Sequence, residues 1–355
     1  MYKKYETPHS DITDNSNLPD GHPPVKKQKT GVLLLNLGTP DATDYLSVRR
    51  YLSEFLSDKR VIDYPSWLWQ PLLQGIILTS RPFRSGAAYK LIWNKDKNES
   101  PLKTYTRSQF EKISEEFAQT NPDLVFEWAM RYGNPSTKKG LDSLIEQGCS
   151  RILLFALYPQ YSATTMATAY DKAFEYLKKR NWQPAIRTAP PWHDDPVYIK
   201  ILANSIRQKL ETLDQEPEVL LTSFHGLPKR YLMQGDPYHC MCQKTSRLVR
   251  EELDWPEDKW ITTFQSRFGP EEWLQPYTDK TIQKLASDGI KRMAIVSPAF
   301  VSECIETLEE IAIGGREIFE ENGGEEYTYI PCLNDRDDHI KLLSNLIRRE
   351  LAGWI

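Results

Sequence analysis

Short apolar runs rich in branched residues alternate with longer amphipathic stretches along this chain. The runs are Val32–Asn36, Leu124–Met130, Ile152–Leu157, Val219–Phe224, Ile261–Gln265 and Met293–Ser297. Tyr198–Leu213 and Thr278–Ser287 are examples of the amphipathic stretches between them. An apolar run of roughly four to eight residues has the length of a buried strand, and helices placed between such strands let them run parallel. The chain is therefore expected to be α/β.

The order of local signatures occurs twice. VLLLNLGTP, MRYGNP and GCSRILLFALYP follow one another in the first part, and VLLTSFHGLP, QSRFGP and GIKRMAIVSP in the second. Each series gives a strand ending in a turn and a proline, then Arg-aromatic-Gly, then Gly-x-x-Arg opening an apolar strand. This repetition predicts two similar Rossmann-like domains, each a parallel sheet flanked by helices, with a cleft between them. Domain limits of 31–180 and 181–334 follow, with a C-terminal helix in 335–355 packing back on the first domain. The first domain carries roughly 50 extra residues in an insertion at about 45–110, counted between matching positions of the two series. Its segment Pro65–Trp93 is dense in Trp, Leu and Ile. It supplies either extra core or an apolar lip, and with Arg81, Arg84 and Lys90 beside it such a lip could touch a membrane surface.

Residues 1–30 are polar, charged and proline-rich without apolar period, and read as a mobile tail. The tail lacks the apolar run of a secretory signal, and no later stretch reaches the ~20 apolar residues of a membrane span. A cytoplasmic location is expected. The five cysteines are an odd number in a chain without an export signal, which argues for reduced thiols. A net charge of -4 gives no bulk attraction for nucleic acid.

Ligands of open α/β sheets sit beyond the carboxyl ends of the strands. His225 ends the run VLLTSF, and Gly226 and Pro228 force the chain to turn there. A neutral imidazole so placed either accepts a proton or binds a metal, or is simply a satisfied structural histidine. After Met293–Ser297 a helix is expected from Ser302. On an α-helix Glu303, Glu306 and Glu310 would share one face, as a path for protons or divalent cations or as a solvated acidic face. Cys240-x-Cys242 has no second pair and lacks the spacing of structural zinc; two thiols at a helix edge is the favoured reading. GxGxxG, GxxxxGK[ST] and GxSxG patterns are all missing, which removes the main support for dinucleotide, P-loop and hydrolase functions.

The segments LLNLGTP (34–40), MRYGNP (130–135), LYPQYSATT (157–165), SFHGLPKRY (223–231), GDPYHC (235–240), QSRFGPEEWLQPYT (265–278) and SPAFVSECIETLEEI (297–311) together resemble the ferrochelatase family, bacterial type. The resemblance runs through almost all of residues 31–355. It implies insertion of ferrous iron into protoporphyrin IX to give protohaem, with release of two protons. By position it implies a catalytic or metal-binding pair in His225 and Glu306, and a proton or metal path through Glu303 and Glu310. It places Leu37, Arg131, Tyr132, Trp273 and Phe300 around the macrocycle, and Arg81, Tyr89 and Ser100 where propionates are held. Iron is then a substrate, and no permanently bound cofactor is implied. Cys304 stands where many eukaryotic members have histidine. Ala163 replaces the cysteine that cluster-bearing members have in the QYS segment, and no cysteine follows Cys332, so no iron–sulfur cluster is expected. A monomer is expected, in at most peripheral contact with the inner membrane. The alternatives are a chelatase for another substrate pair, such as iron with coproporphyrin or cobalt or nickel with a sirohydrochlorin-type ring, and a non-catalytic porphyrin or haem carrier.

Overall fold

The structure is a computed structural model that describes residues 19–22 and 26–355. Most of the expected tail, residues 1–18 and 23–25, lies outside the described residues.

Two four-stranded parallel sheets carry the fold. The first contains β1 (Lys29–Thr39), β2 (Leu124–Gly133), β3 (Cys149–Ala156) and β4 (Ala185–Thr188), in the order β2-β1-β3-β4. The second contains β5 (Val219–His225), β6 (Trp260–Gln265), β7 (Arg292–Val296) and β8 (Glu326–Ile330), in the order β6-β5-β7-β8. The duplicated signatures thus correspond to a duplicated topology. β4 and β8 were not among the expected strands. Both are short edge strands, AIRT and EYTYI, with partly exposed side chains and no continuous apolar run. Because β4 pairs with β3, the first sheet continues past the limit expected at 180.

The helices of the first half are α1 (Tyr45–Leu56), α2 (Ser66–Leu72), α3 (Leu78–Ile92), α4 (Pro101–Ala118), α5 (Thr137–Glu146) and α6 (Thr168–Leu177). A π-helix, Leu73–Ile77, joins α2 to α3. The second half has α7 (Pro196–Leu210), α8 (Lys229–Met233), α9 (Tyr238–Leu253), α10 (Thr278–Ser287), α11 (Arg316–Glu321) and α12 (Asp337–Glu350). The extra residues of the first half lie between β1 and β2, a connection that carries α1 to α4 where the matching one between β5 and β6 carries α8 and α9. Among the described residues no helix is long and apolar enough to cross a membrane.

The continuous apolar runs arise because helices cover both faces of each sheet. Along β1, Val32 and Leu34 enter one core cluster while Leu33 and Leu35 enter another. Full burial of each such side chain contributes about 1.5–3 kcal/mol. The first of these clusters is common to both halves, since it joins Leu34 and Phe155 to Ile206, Leu220, Val296 and Leu346. The two sheets are therefore fixed against one another by shared core. α12 closes this arrangement on α4, where Glu116 accepts hydrogen bonds from Ser344 Oγ at 2.8 Å and Arg348 Nη2 at 2.7 Å.

Two glycines set the chain turns that open the space between the sheets. Gly38 has φ +116°, and a Cβ there would fall 1.8 Å from the Tyr132 carbonyl oxygen. At Gly226 a Cβ would meet the Gln265 carbonyl oxygen at 2.7 Å. Neither site admits a side chain without backbone movement.

Candidate active site

A cavity of about 850 Å³ opens at the carboxyl ends of both sheets. That is within the range of roughly 300–1,000 Å³ found for small-molecule sites. From the first half its wall takes Leu37 near the end of β1, Phe55 of α1, Trp69 of α2, Arg81 and Tyr89 of α3 and Ser100 before α4. From the second half it takes His225, Phe268, Trp273, Phe300, Cys304, Glu306, Glu309 and Glu310.

His225 is the last residue of β5, held half-buried by the Gly226 turn. Its Nδ1 lies 2.6 Å from the Gly226 carbonyl oxygen. A carbonyl can only accept, so Nδ1 carries a proton, and in the neutral imidazole Nε2 then holds the lone pair. The Phe300 ring stands 6.4 Å from the imidazole, centroid to centroid.

The carboxylates are carried differently from the sequence expectation. The helix begins after Cys304 rather than at Ser302, and Glu306–Gly315 is a π-helix. Glu309 joins Glu306 and Glu310 on the cavity wall, the three being spaced i, i+3 and i+4 along one helix face. Two residues at the end of β6 tie this helix down. Gln265 Nε2 donates to the Glu306 carbonyl oxygen at 2.8 Å, and the Ser266 N–H donates to Glu310 Oε1 at 2.7 Å. Ser266 Oγ also donates to Glu310. Burial raises the Glu310 carboxyl above its usual range, against the lowering effect of the Ser266 hydroxyl and of His225. Burial raises Glu309 as well, with Arg84 opposing it.

Glu303 is elsewhere. It precedes the π-helix, is buried, and does not line the cavity. Its carboxylate accepts from the Cys332 N–H at 2.9 Å, from Tyr329 OH at 2.8 Å and from Thr307 Oγ1.

Arg131 and Tyr132 also fall off the wall. Arg131 Nη2 and Thr168 Oγ1 donate to Asp58 Oδ2, as does Tyr132 OH at 2.8 Å. The Arg131 guanidinium lies 4.3 Å over the Tyr132 ring. Arg131 instead lines a separate, polar cavity of about 950 Å³ beside α1 and α6. The physical reason is the carboxylate at the end of α1. Burial would raise the Asp58 carboxyl, but hydrogen bonds from Thr168, the Arg60 N–H and Tyr132, with the Arg131 charge, leave it below its usual range. Asp58 carried no signal in the sequence that set it apart from other surface aspartates. The equivalent Arg267 and Phe268 of the second half do line the main cavity.

The three residues expected to hold propionates all reach the cavity. The Arg81 guanidinium lies 4.7 Å over the Phe268 ring, joining the insertion to the second half across the mouth. Its Nη1 is buried without a hydrogen-bond partner. Burial, with Arg84 nearby, lowers its pKa from the usual value. Burial and Glu306 keep the Tyr89 phenol neutral far above its ordinary range. Ser100 caps α4, its Oγ accepting from the Lys103 N–H at 3.2 Å, so its hydroxyl proton is what it has to offer. Trp273 is fixed by its Nε1, which donates to the Phe268 carbonyl oxygen at 2.9 Å.

All five cysteines are free thiols. On α9 Cys240 is exposed and Cys242 buried, so the pair points to different faces, as two residues at i, i+2 on a helix must.

A family model described as Ferrochelatase matches residues 29–351. The ferrochelatase of Allorhizobium ampelinum is 60% identical over 340 residues, covering 96% of this chain and 98% of the relative. That of Agrobacterium fabrum is 60% identical over 343 residues, covering 97% and 99%. Among solved structures, SirB from Bacillus subtilis with Fe3+ superposes with a TM-score of 0.54 at 12% identity, covering 92% of this chain and 96% of SirB. The sirohydrochlorin chelatase SirB from Bacillus subtilis subspecies spizizenii, in complex with cobalt, gives 0.51 at 9% identity, covering 91% and 95%. At such identities these two likenesses concern the fold alone, two parallel sheets facing a common cleft. With a family model spanning nearly its whole length and relatives at this identity, the chain belongs to the ferrochelatase family.

Proposed function

We propose that the chain inserts ferrous iron into protoporphyrin IX, releasing two protons and forming protohaem, which makes it a lyase of the metal-chelatase kind. The observation that carries this reading is the joint wall of the 850 Å³ cavity: an imidazole, His225, and a carboxylate, Glu306, lie in one slot lined mostly by aromatic and aliphatic side chains.

Metallation replaces two pyrrole N–H protons by one divalent ion. The flat ring also shields its nitrogen lone pairs from an ion approaching along the face. The first barrier needs a base and the second needs the ring bent. His225 Nε2 is the free lone pair, and it receives a pyrrole proton. Glu306 takes part in the same transfer or meets the incoming ion. Glu310, raised by burial, holds a proton more readily than an ordinary glutamate and passes protons onward. Leu37, Trp273 and Phe300 grip the ring faces, and Arg81, Tyr89 and Ser100 meet its carboxylates. A positioned base contributes ~10²–10⁴-fold. Iron is consumed in the reaction, and the chain is taken to need no resident cofactor.

The mouth of the slot also suggests where the chain works. Trp67 of α2 is 75% exposed, Ile76 of the adjoining π-helix 64% and Phe83 of α3 66%, and α3 also carries Arg81 and Arg84. Apolar side chains beside cations suit a peripheral contact with an anionic membrane surface. Flotation with phosphatidylglycerol vesicles, lost in Trp67→Ser with Ile76→Ser, tests this.

The function itself is tested by mixing the protein, protoporphyrin IX and ferrous iron without oxygen and following the visible spectrum. Rapid conversion to the haem spectrum supports the proposal. Preference for a tetracarboxylate porphyrin, or for cobalt or nickel with a sirohydrochlorin-type ring, would move the assignment to another chelatase. Tight haem retention without metallation would make the chain a carrier.

A further inference from the structure

Glu303 is a buried carboxylate whose three hydrogen-bond partners are neutral donors from two separate segments. Cys332 N–H at 2.9 Å and Tyr329 OH at 2.8 Å come from the end of β8 and just beyond it. Thr307 Oγ1 comes from the first turn of the π-helix and also accepts from the Cys304 N–H at 3.0 Å. The Glu303 N–H donates to Asn334 Oδ1 at 2.9 Å. The flanking residues are held from the other half of the molecule: Gln109 Nε2 of α4 donates to Ser302 Oγ at 2.9 Å and to the Asn334 carbonyl oxygen at 2.8 Å. Both oxygens of Glu303 thus accept hydrogen bonds that fix the start of the π-helix, and the residue does not line the slot. A carboxylate that relays protons or cations needs contact with the hydrated space through which they move, and Glu303 is 4% exposed and off the cavity wall.

We propose that Glu303 is a positioning residue: acting through Thr307, it fixes the first turn of the π-helix so that Glu306 faces the slot, and it transfers neither protons nor metal. The proposal deepens the proposed function and rests on the role given there to Glu306.

The test compares Glu303→Gln, Glu303→Ala, Thr307→Val, Thr307→Ser and Glu306→Gln in the full chain. Anaerobic metallation is measured across pH, with porphyrin affinity from fluorescence quenching. A glutamine can still accept from the Cys332 N–H, and its amide can donate to the Thr307 and Tyr329 oxygens, so the clamp survives without the charge. Glu303→Gln is therefore expected within about threefold of wild type in kcat and in the KM for iron, with an unchanged pH profile. Glu303→Ala and Thr307→Val should lower kcat on the order of tenfold or more while porphyrin affinity stays within about twofold, and Thr307→Ser should restore the rate. If Glu303→Gln loses as much turnover as Glu303→Ala, or its pH profile shifts, the carboxylate charge is in use and the proposal is overturned. Should Glu303→Ala fail to fold, Thr307→Val decides: wild-type kcat in that variant also overturns it. Full turnover by Glu306→Gln would instead defeat the role of Glu306, a separate outcome from the behaviour of Glu303.

Discussion

Gln265 stands directly opposite His225 in the register between β6 and β5, and its side-chain amide donates to the Glu306 carbonyl oxygen at 2.8 Å. One buried residue thus links the strand end that holds the imidazole to the helix that holds the carboxylate. Its own Oε1 accepts from Ser223 Oγ at 2.7 Å, which fixes the amide orientation.

Replacing Gln265 by leucine keeps the volume and breaks this link. Turnover is expected to fall on the order of 10-fold to 100-fold, as displacements near 1 Å in reacting groups do. Porphyrin affinity should hold. Steady-state kinetics with a separate fluorescence titration separate the two.

Arg81 tests the opposite behaviour. Its guanidinium is stacked on Phe268 and its Nη1 is buried without a hydrogen-bond partner, which suits the proposed contact with a porphyrin carboxylate. Arg81→Leu should weaken porphyrin binding roughly 10-fold to 100-fold, the worth of a charge-assisted hydrogen bond. The value of kcat at saturating porphyrin should change little. Fluorescence titration with protoporphyrin and with its dimethyl ester checks it, since the ester should bind wild type and variant alike.

Asp58 is predicted to matter for stability. Its side chain is 8% exposed and that of Arg131 10%. Asp58→Ala leaves a buried guanidinium without its main partner and should cost on the order of 3 kcal/mol, with urea unfolding as the measurement. In wild type the carboxyl sits below its usual range, so this contribution is present above about pH 3.8 and fades as the pH falls further.

His339 sets an acid limit. It is fully buried at the start of α12, its Nδ1 donating to the Asn334 carbonyl oxygen at 2.7 Å, and burial pushes its pKa down to about 4 from 6.5. The unfolded chain then binds a proton that the folded chain refuses. Stability from this residue is complete above pH 6.5 and is lost as the pH falls towards 4, by on the order of 3 kcal/mol. A His339→Gln variant should show a flatter dependence of unfolding free energy on pH across that window than wild type.

Much of this molecule was legible in its residues. The strands that ran as continuous apolar segments, the doubling of the fold and the turn carrying His225 all follow from burial on two faces and from Gly226 and Pro228. β4 and β8 escaped because their side chains are only partly buried and make no continuous apolar run. Glu303 was misplaced because the helix starts after Cys304, leaving Glu303 ahead of its first turn, and Glu309 was passed over although it stands at i+3 from Glu306 on the same face. Arg131 and Tyr132 were placed on the slot by resemblance, and the Asp58 carboxylate that draws them aside comes from just beyond α1, far from β2 in the chain.

The proposed chemistry depends on a lone pair at His225 Nε2 facing a bound porphyrin. Anaerobic metallation by His225→Ala, followed through the visible spectrum beside a fluorescence measurement of porphyrin binding, tests it most directly. A rate lower by ~10²-fold or more with porphyrin still bound is the predicted result. Equal rates for variant and wild type, with equal porphyrin occupancy, would contradict it.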